Sequence, residues 1–199
     1  MSSYENQKKK FDSIAETWDL IREPEEKVLR VVCLSQIKEN MRVLDVGCGT
    51  GIMSDALVHA VGEKGFVKGI DISPGMLSVA KRKFDFPNLS FEEGNIETLK
   101  EESESYDAII CNNVFPHFVN EDRVLENINR LLKPGGVWTV SHLSGRDAVN
   151  KIHSDSECFK EDKVPLPEKW IEMFQPFGFA PVLSLNEKDF YIIVMKKNG

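Results

Sequence analysis

The chain is poor in several things that define other protein classes. No stretch of its 199 residues is long and apolar enough for a membrane span. The opening MSSYENQKKKFDSIAETWD is polar and shows no apolar signal region, so export is not expected. Positive charge is scarce: 25 Lys and Arg face 32 Asp and Glu, for a net charge of −7. Such a chain gains little from a phosphate backbone, which argues against a nucleic-acid partner. KKK at 8–10 is too short to reverse that and reads as a solvated helix end. The four cysteines (Cys33, Cys48, Cys111, Cys158) have no metal-type spacing among themselves and read as reduced thiols. No internal repeat, low-complexity tract or G-x-x-x-x-G-K-[ST] phosphate loop occurs. These absences leave a cytoplasmic protein with a core supported by 41% hydrophobic residues.

What is present alternates. RVLDVG, GFVKGIDIS, LSFEEGNI, YDAIICNNV and GVWTVSHL read as strands. Helical patterns separate them: GIMSDALVHAVG closed by Gly62, SPGMLSVAKRKFDF capped by Ser73 with Pro74 in its first turn, and NEDRVLENINRLLKPGG. Upstream, Phe11, Ile14, Ala15 and Trp18 recur at helical spacing, and Glu25 to Ile37 repeats it with Val28, Leu29, Val32 and Leu34 as the apolar stripe. PEKWIEMFQPFGF predicts a late helix, and APVLSLNEKDFYIIVMKK two strands joined by a polar turn. The expected fold is α/β: a Rossmann-like, doubly wound sheet of seven strands, mostly parallel with an antiparallel last strand, and helices on both faces. The expected organisation is one domain: residues 1–38 a helical lid, 39–145 a cofactor-binding core, 146–199 substrate-side helices and closing strands.

VLDVGCGTG, residues 43–51, carries the first functional signal. Gly47, Gly49 and Gly51 follow a buried strand and open a helix, where ligands of such sheets bind. Asp71, ending the second strand, suits a ribose diol. The spacing is G-x-G-x-G, not the G-x-G-x-x-G of dinucleotide binding. Asp45 stands just before the bend, where a carboxylate repels a pyrophosphate and attracts a cationic amine or sulfonium. The sign of that charge favours S-adenosylmethionine over NAD.

VLDVGCGTG resembles motif I of the class I S-adenosylmethionine-dependent methyltransferases. GIDIS with MLSVAKRK, FEEGNIETL, YDAIICNNVFPHF, LLKPGGVWTVSHL and FGF follow in that family's order over roughly residues 10–196. The match is similar to the small-molecule branch that includes ubiquinone-type C-methyltransferases. The resemblance implies that Asp45 meets the methionine amine and that Gly47, Cys48 and Gly49 meet the methionine part through backbone groups. Asp71 would hold the ribose hydroxyls, Ile72 and Met76 would sandwich the adenine, and Asn95 and Ile96 would meet its edge. Asn112 and Val114 would lie beside the sulfonium, and Phe11 and Trp18 would either close from the lid or serve as core aromatics of a packed helix. The fourth-strand motif NNVFPHF lacks the Pro-Pro of base N-methylating enzymes, and the acidic chain also disfavours RNA or DNA.

The acceptor side is marked by polarity. His117 follows the fourth strand and His142 ends the fifth. Arg146, Asn150 and His153 fall at i, i+4 and i+7, one face of a helix. His117, His142, Arg146 and His153 are the candidate catalytic residues. Three imidazoles with an open position also suit zinc or another borderline divalent metal, with Cys158 either a further soft ligand or, the preferred reading, a spectator thiol. The partner expected is a small-molecule methyl acceptor, with no nucleic acid and no membrane, for a monomer or homodimer. The alternative from another class is a non-catalytic S-adenosylmethionine-binding sensor or subunit, which a histidine-rich pocket argues against.

Overall fold

A computed structural model describes residues 3–20 and 24–199. The expected lid segment FDSIAETWDLI ends at Ile21, outside the described residues. The helices are α1 (Ser3–Ile14), α2 (Glu25–Leu34), α3 (Ile52–Val61), α4 (Pro74–Lys83), α5 (Glu121–Leu131), α6 (Arg146–Ser154) and α7 (Pro167–Phe174). Three 3-10 turns, Ala15–Leu20, Phe115–His117 and Gln175–Phe177, join them. The strands are β1 (Arg42–Val46), β2 (Phe66–Asp71), β3 (Leu89–Glu93), β4 (Tyr106–Asn112), β5 (Leu132–His142), β6 (Phe179–Glu187) and β7 (Phe190–Lys197).

They form one seven-stranded sheet in the order β3-β2-β1-β4-β5-β7-β6. The strands from β3 to β5 in that order are mutually parallel, β7 runs antiparallel to β5 and β6, and β6 therefore points the way of β5. Continuous apolar runs make sense here because both faces are covered. Along β4, Ala108 and Ile110 face one side while Ile109 and Cys111 face the other. Val137 and Trp138 divide the same way on β5, as do Ile192 and Ile193 on β7. Helices α2 and α3 cover one face; α5 and α7 cover the other, where Trp138, Phe115, Phe174 and Trp170 make a cluster of tilted and edge-on rings.

The helix ends obey their local chemistry. The Ser73 hydroxyl accepts the Met76 N–H at 3.1 Å and Asn120 caps α5 through the Arg123 N–H. The α2 stripe differs from expectation. Its buried residues are Val28, Val31 and Val32, while Leu29 is 52% exposed and the helix stops at Leu34. The period explains it: Val31 and Val32 lie one turn beyond Val28, whereas Leu29 is rotated by about 100° from it.

Strand order reverses between β1 and β4, so the crevice outside the carboxyl ends of β1, β2, β3 and β4 is the place for a ligand. Its floor depends on Gly47, which has φ +66° and whose missing Cβ would lie 2.4 Å from Val114 Cγ2. Gly47→Ala should cost about 2–4 kcal/mol from clash and strain together. Thermal unfolding reads that cost directly, and a variant with unchanged Tm would show that the bend tolerates a side chain.

Candidate functional site

One cavity lies over the strand ends, lined from β1 by Asp45, Gly47, Cys48 and Gly49, from β2 by Asp71 and Ile72, and from α4 by Met76. Asn95 and Ile96 after β3, and Asn112, Val114 and His117 after β4, complete its wall. Every residue that the resemblance assigns to the cofactor therefore borders one space. Phe11 and Trp18 line it too, 6.0 Å apart edge to face. Glu97, inside the FEEGNIETL motif, joins them, as do Tyr4 and Gln7, with no motif in the sequence to mark those two.

The glycine bend is built with its amides turned inward. Gly47 and Cys48 both donate to the Ile70 carbonyl, at 2.8 and 3.0 Å, and Gly49 donates to Asp71 Oδ2 at 2.9 Å. This is the reverse of an anion-binding nest, which aims free N–H groups at its ligand. Gly49, at φ +54°, has nothing within 4 Å of where a Cβ would stand, so the backbone is bare toward the cavity. Asp71 is 8% exposed, and its Oδ1 accepts the Ser73 N–H at 2.8 Å. Burial raises its pKa, and the N–H groups of Ser73 and Gly49 oppose that.

Asp45 is 1% exposed and accepts the Ser54 hydroxyl at 2.6 Å. Burial pushes its pKa up to about 7, with the Asp71 charge adding to the rise and Ser54 opposing it. Such a carboxyl is poised for a positive neighbour. The Cys48 thiol is buried and its pKa is raised by that burial and by the nearby carboxylates, so it is no nucleophile.

The N-terminal elements tie to each strand-end loop. Lys8 pairs with Glu93, and Asp12 accepts from Ser73 Oγ at 2.6 Å and from the Gly75 N–H at 2.9 Å. Asp19 accepts from Thr50 Oγ1 at 2.7 Å and pairs with Lys83 at 2.8 Å. Gln7 donates to the His117 carbonyl at 2.9 Å.

The acceptor side differs from expectation in part. His117 and His153 do meet, with ring centroids 4.9 Å apart. His142 does not line the cavity; it lies between Trp170 and Tyr191, with centroids at 6.3 and 5.9 Å. Neither of its ring nitrogens has a hydrogen-bonding partner. The strand explains this: Trp138, Val140 and His142 share the face of β5 covered by α7, so the ring enters the apolar layer. Arg146 pairs with Asp147 at 2.6 Å, and its buried Nε is unpartnered. Asn150 donates to the Val164 carbonyl and accepts the Val164 N–H, at 2.9 and 2.8 Å, tethering the loop after α6.

Zinc gets no support from this geometry. Among the described residues no three His, Cys, Asp or Glu side chains are placed to hold a metal ion. His117 Nδ1 is taken by Asp162 Oδ2 at 2.7 Å, His153 Nδ1 by the Asp162 carbonyl at 2.5 Å, and His142 packs between Trp170 and Tyr191. Cys158 is an exposed free thiol, as is Cys33.

A bare, amide-poor bend and two buried carboxylates at the switch point define a nucleoside-cofactor protein of Rossmann-like class. A family model described as a methyltransferase domain matches residues 37–187, and the chain belongs to that family, the class I S-adenosylmethionine-dependent methyltransferases. It is similar to an arsenite methyltransferase of Mus musculus, 43% identical over 110 residues, which cover 49% of this chain and 29% of that protein. A malonyl-[acyl-carrier protein] O-methyltransferase of Bacillus cereus is 29% identical over 161 residues, 78% of this chain and 58% of that one. The chain thus spans at most 58% of either curated relative. Among solved structures, a complex between the Haloferax volcanii Trm112 methyltransferase activator and a methyltransferase matches at TM-score 0.80 and 20% identity, covering 95% and 98% of the two chains, a likeness of fold. An arsenic(III) S-adenosylmethionine methyltransferase from Chlamydomonas reinhardtii matches at TM-score 0.65 and 26% identity, over 82% of this chain and 65% of that one.

Burial holds the His142 pKa down to about 3, with His117 and His153 nearby adding to the depression. An unfolded histidine titrates near 6.5, so between roughly pH 6 and 4 the unfolded chain binds a proton that the native site refuses. Native stability therefore falls as pH drops through that window. His142→Phe removes the effect, and any overpacking adds only a pH-independent offset. The stability difference between variant and parent should shift in the variant's favour by about 1 kcal/mol per pH unit on acidification. Denaturant unfolding at several pH values checks this; a pH-independent difference would mean that the imidazole has a partner.

Proposed function

We propose that the chain transfers a methyl group from S-adenosylmethionine to a small-molecule acceptor that enters beside His117. The observation that carries this reading is the bend whose amides are committed to Ile70 and Asp71 while Asp45 and Asp71 face the same cavity. That arrangement accepts a cationic, hydroxyl-bearing nucleoside and rejects a diphosphate. When bound, the cofactor supplies an electrophilic methyl group on a sulfonium leaving group. The protein's own work is alignment, exclusion of water and disposal of a proton.

In this reading Asp45 meets the methionine amine and the carbonyl side of Gly47, Cys48 and Gly49 borders the methionine chain. Asp71 keeps its second lone pairs for the ribose diol, Ile72 and Met76 flank the adenine, and Asn95 and Ile96 meet its edge. Asn112 is held by the Ser141 hydroxyl at 2.8 Å, and with Val114 it lies below the transferring methyl. Residues 1–38 act as the lid and 146–199 as the acceptor side of one domain. His117 and His153 are the acceptor-side bases. His142 and Arg146 shape the layer behind them. The acceptor is a small molecule, as arsenite is in the name of one relative, and nucleic acid and membrane are outside that range. Among the described residues no helix is long and apolar enough to cross a membrane.

Calorimetry with S-adenosylhomocysteine and with NAD tests the cofactor. S-adenosylhomocysteine should bind and NAD should not; tighter binding of NAD would overturn the assignment. A panel of arsenite, a thiol and a catechol, scored for methylated product, then separates an enzyme from a binding-only subunit. Asp45 adds a pH signature. Its pKa of about 7 in the empty site must fall when the amine arrives, so affinity should drop by about tenfold per pH unit below 7. Binding at pH 7 should release a fraction of a proton, read from the buffer dependence of the heat, and Asp45→Asn should abolish that release.

A further inference from the structure

The loop between α6 and α7 brings a residue that no sequence motif marks. Asp162 engages two imidazoles with two different groups. Its carboxylate Oδ2 lies 2.7 Å from His117 Nδ1, and its main-chain carbonyl lies 2.5 Å from His153 Nδ1. Both Asp162 and His117 are largely shielded, with side chains 18% and 11% exposed. A carbonyl can only accept, so His153 must carry its proton on Nδ1. A carboxylate imposes the same choice on His117. Neither Nε2 atom has a hydrogen-bonding partner among the described residues. The rings are fixed from the sides: Phe159 packs 4.7 Å from His117 and 6.1 Å from His153, and Phe11 stacks on Phe159 at 5.6 Å. His117 also lines the cofactor cavity.

We infer that Asp162 is the positioning residue of the acceptor site, locking His117 and His153 in the Nδ1–H tautomer so that the Nε2 lone pair of His117, the ring at the cavity, receives the proton of a protic acceptor. The inference rests on the methyl-transfer reading and deepens it by naming the substrate class: an acceptor whose nucleophilic atom carries hydrogen, as O–H, S–H, N–H or activated C–H. The step balances. A bond forms between the acceptor atom and the methyl carbon, the sulfur–carbon bond breaks with its electrons staying on sulfur, and the acceptor's proton passes to Nε2 of His117. The carboxylate stabilises the resulting imidazolium and stays ionised. An acceptor already anionic needs no such apparatus, and burial lowers the His153 pKa, in keeping with a neutral base.

Nitrogen-15 correlation spectra of histidine-labelled protein read the tautomers directly. The parent should show both His117 and His153 protonated on Nδ1. In Asp162→Asn and Asp162→Ala, His117 should lose that preference while His153, held by the main-chain carbonyl, keeps it. S-adenosylhomocysteine affinity should stay within twofold, and kcat for the most reactive panel acceptor should fall by about 10- to 100-fold with little change in KM. A parent with either ring protonated on Nε2 overturns the inference. So does a His117 unchanged in both variants, or a His153 that changes with it, since Asp162 would then only hold the loop. A parent with the stated tautomers that methylates nothing sinks the methyl-transfer reading and leaves the positioning role standing.

Discussion

Three amides of one bend have already spent their hydrogens on Ile70 and Asp71, and the cofactor site depends on that commitment. The same contacts join β1 to β2 at the level where a ligand lies, so the bend is part of the sheet rather than a loop above it. Those three amides have nothing left for a phosphate. Asp45, buried beneath it, would make one still less welcome. The glycines serve two different needs. Gly47 must be small because Val114 fills the space beside it, whereas Gly49 leaves the backbone uncovered.

The core of this site was legible in the sequence because its chemistry is local. Each strand end carries its cavity-lining residues within a few positions of a recognisable run, and strand and helix periods place those runs unaided. The α2 stripe was misread because Leu29 and Val31 are equally apolar, and only packing distinguishes them. That His142 does not line the cavity has a related reason. Alternation along β5 sends His142 to the layer beneath α7, but the sequence does not say that α7 and β7 close over it. Asp162 left no trace, because it sits in an irregular loop and acts partly through its main chain.

The acceptor side therefore divides into parts with different energetic demands. Asn150 clasps Val164 with a reciprocal pair of hydrogen bonds, which fixes the loop and lets Asp162 reach both rings. Near it, His142 remains neutral and unpartnered in an apolar layer, a cost to folding that the surrounding aromatic burial offsets. Sites that hold unsatisfied polar groups give up stability, and the closely packed rings around Phe115 and Trp138 are where this chain recovers it.

Strand β7 follows β6 in sequence yet lies interior in the sheet, wedged between β5 and β6. During synthesis β6 emerges before β7, its hydrogen-bonding neighbour among the described residues, and it waits with both edges bare until β7 follows. The Trp138 and His142 end of β5 is likewise unsealed until then, since Met195 and Tyr191 are their cross-strand neighbours. Strand β7 is thus the piece that closes the sheet, and nascent chains stalled short of it carry an open β edge for chaperones to guard.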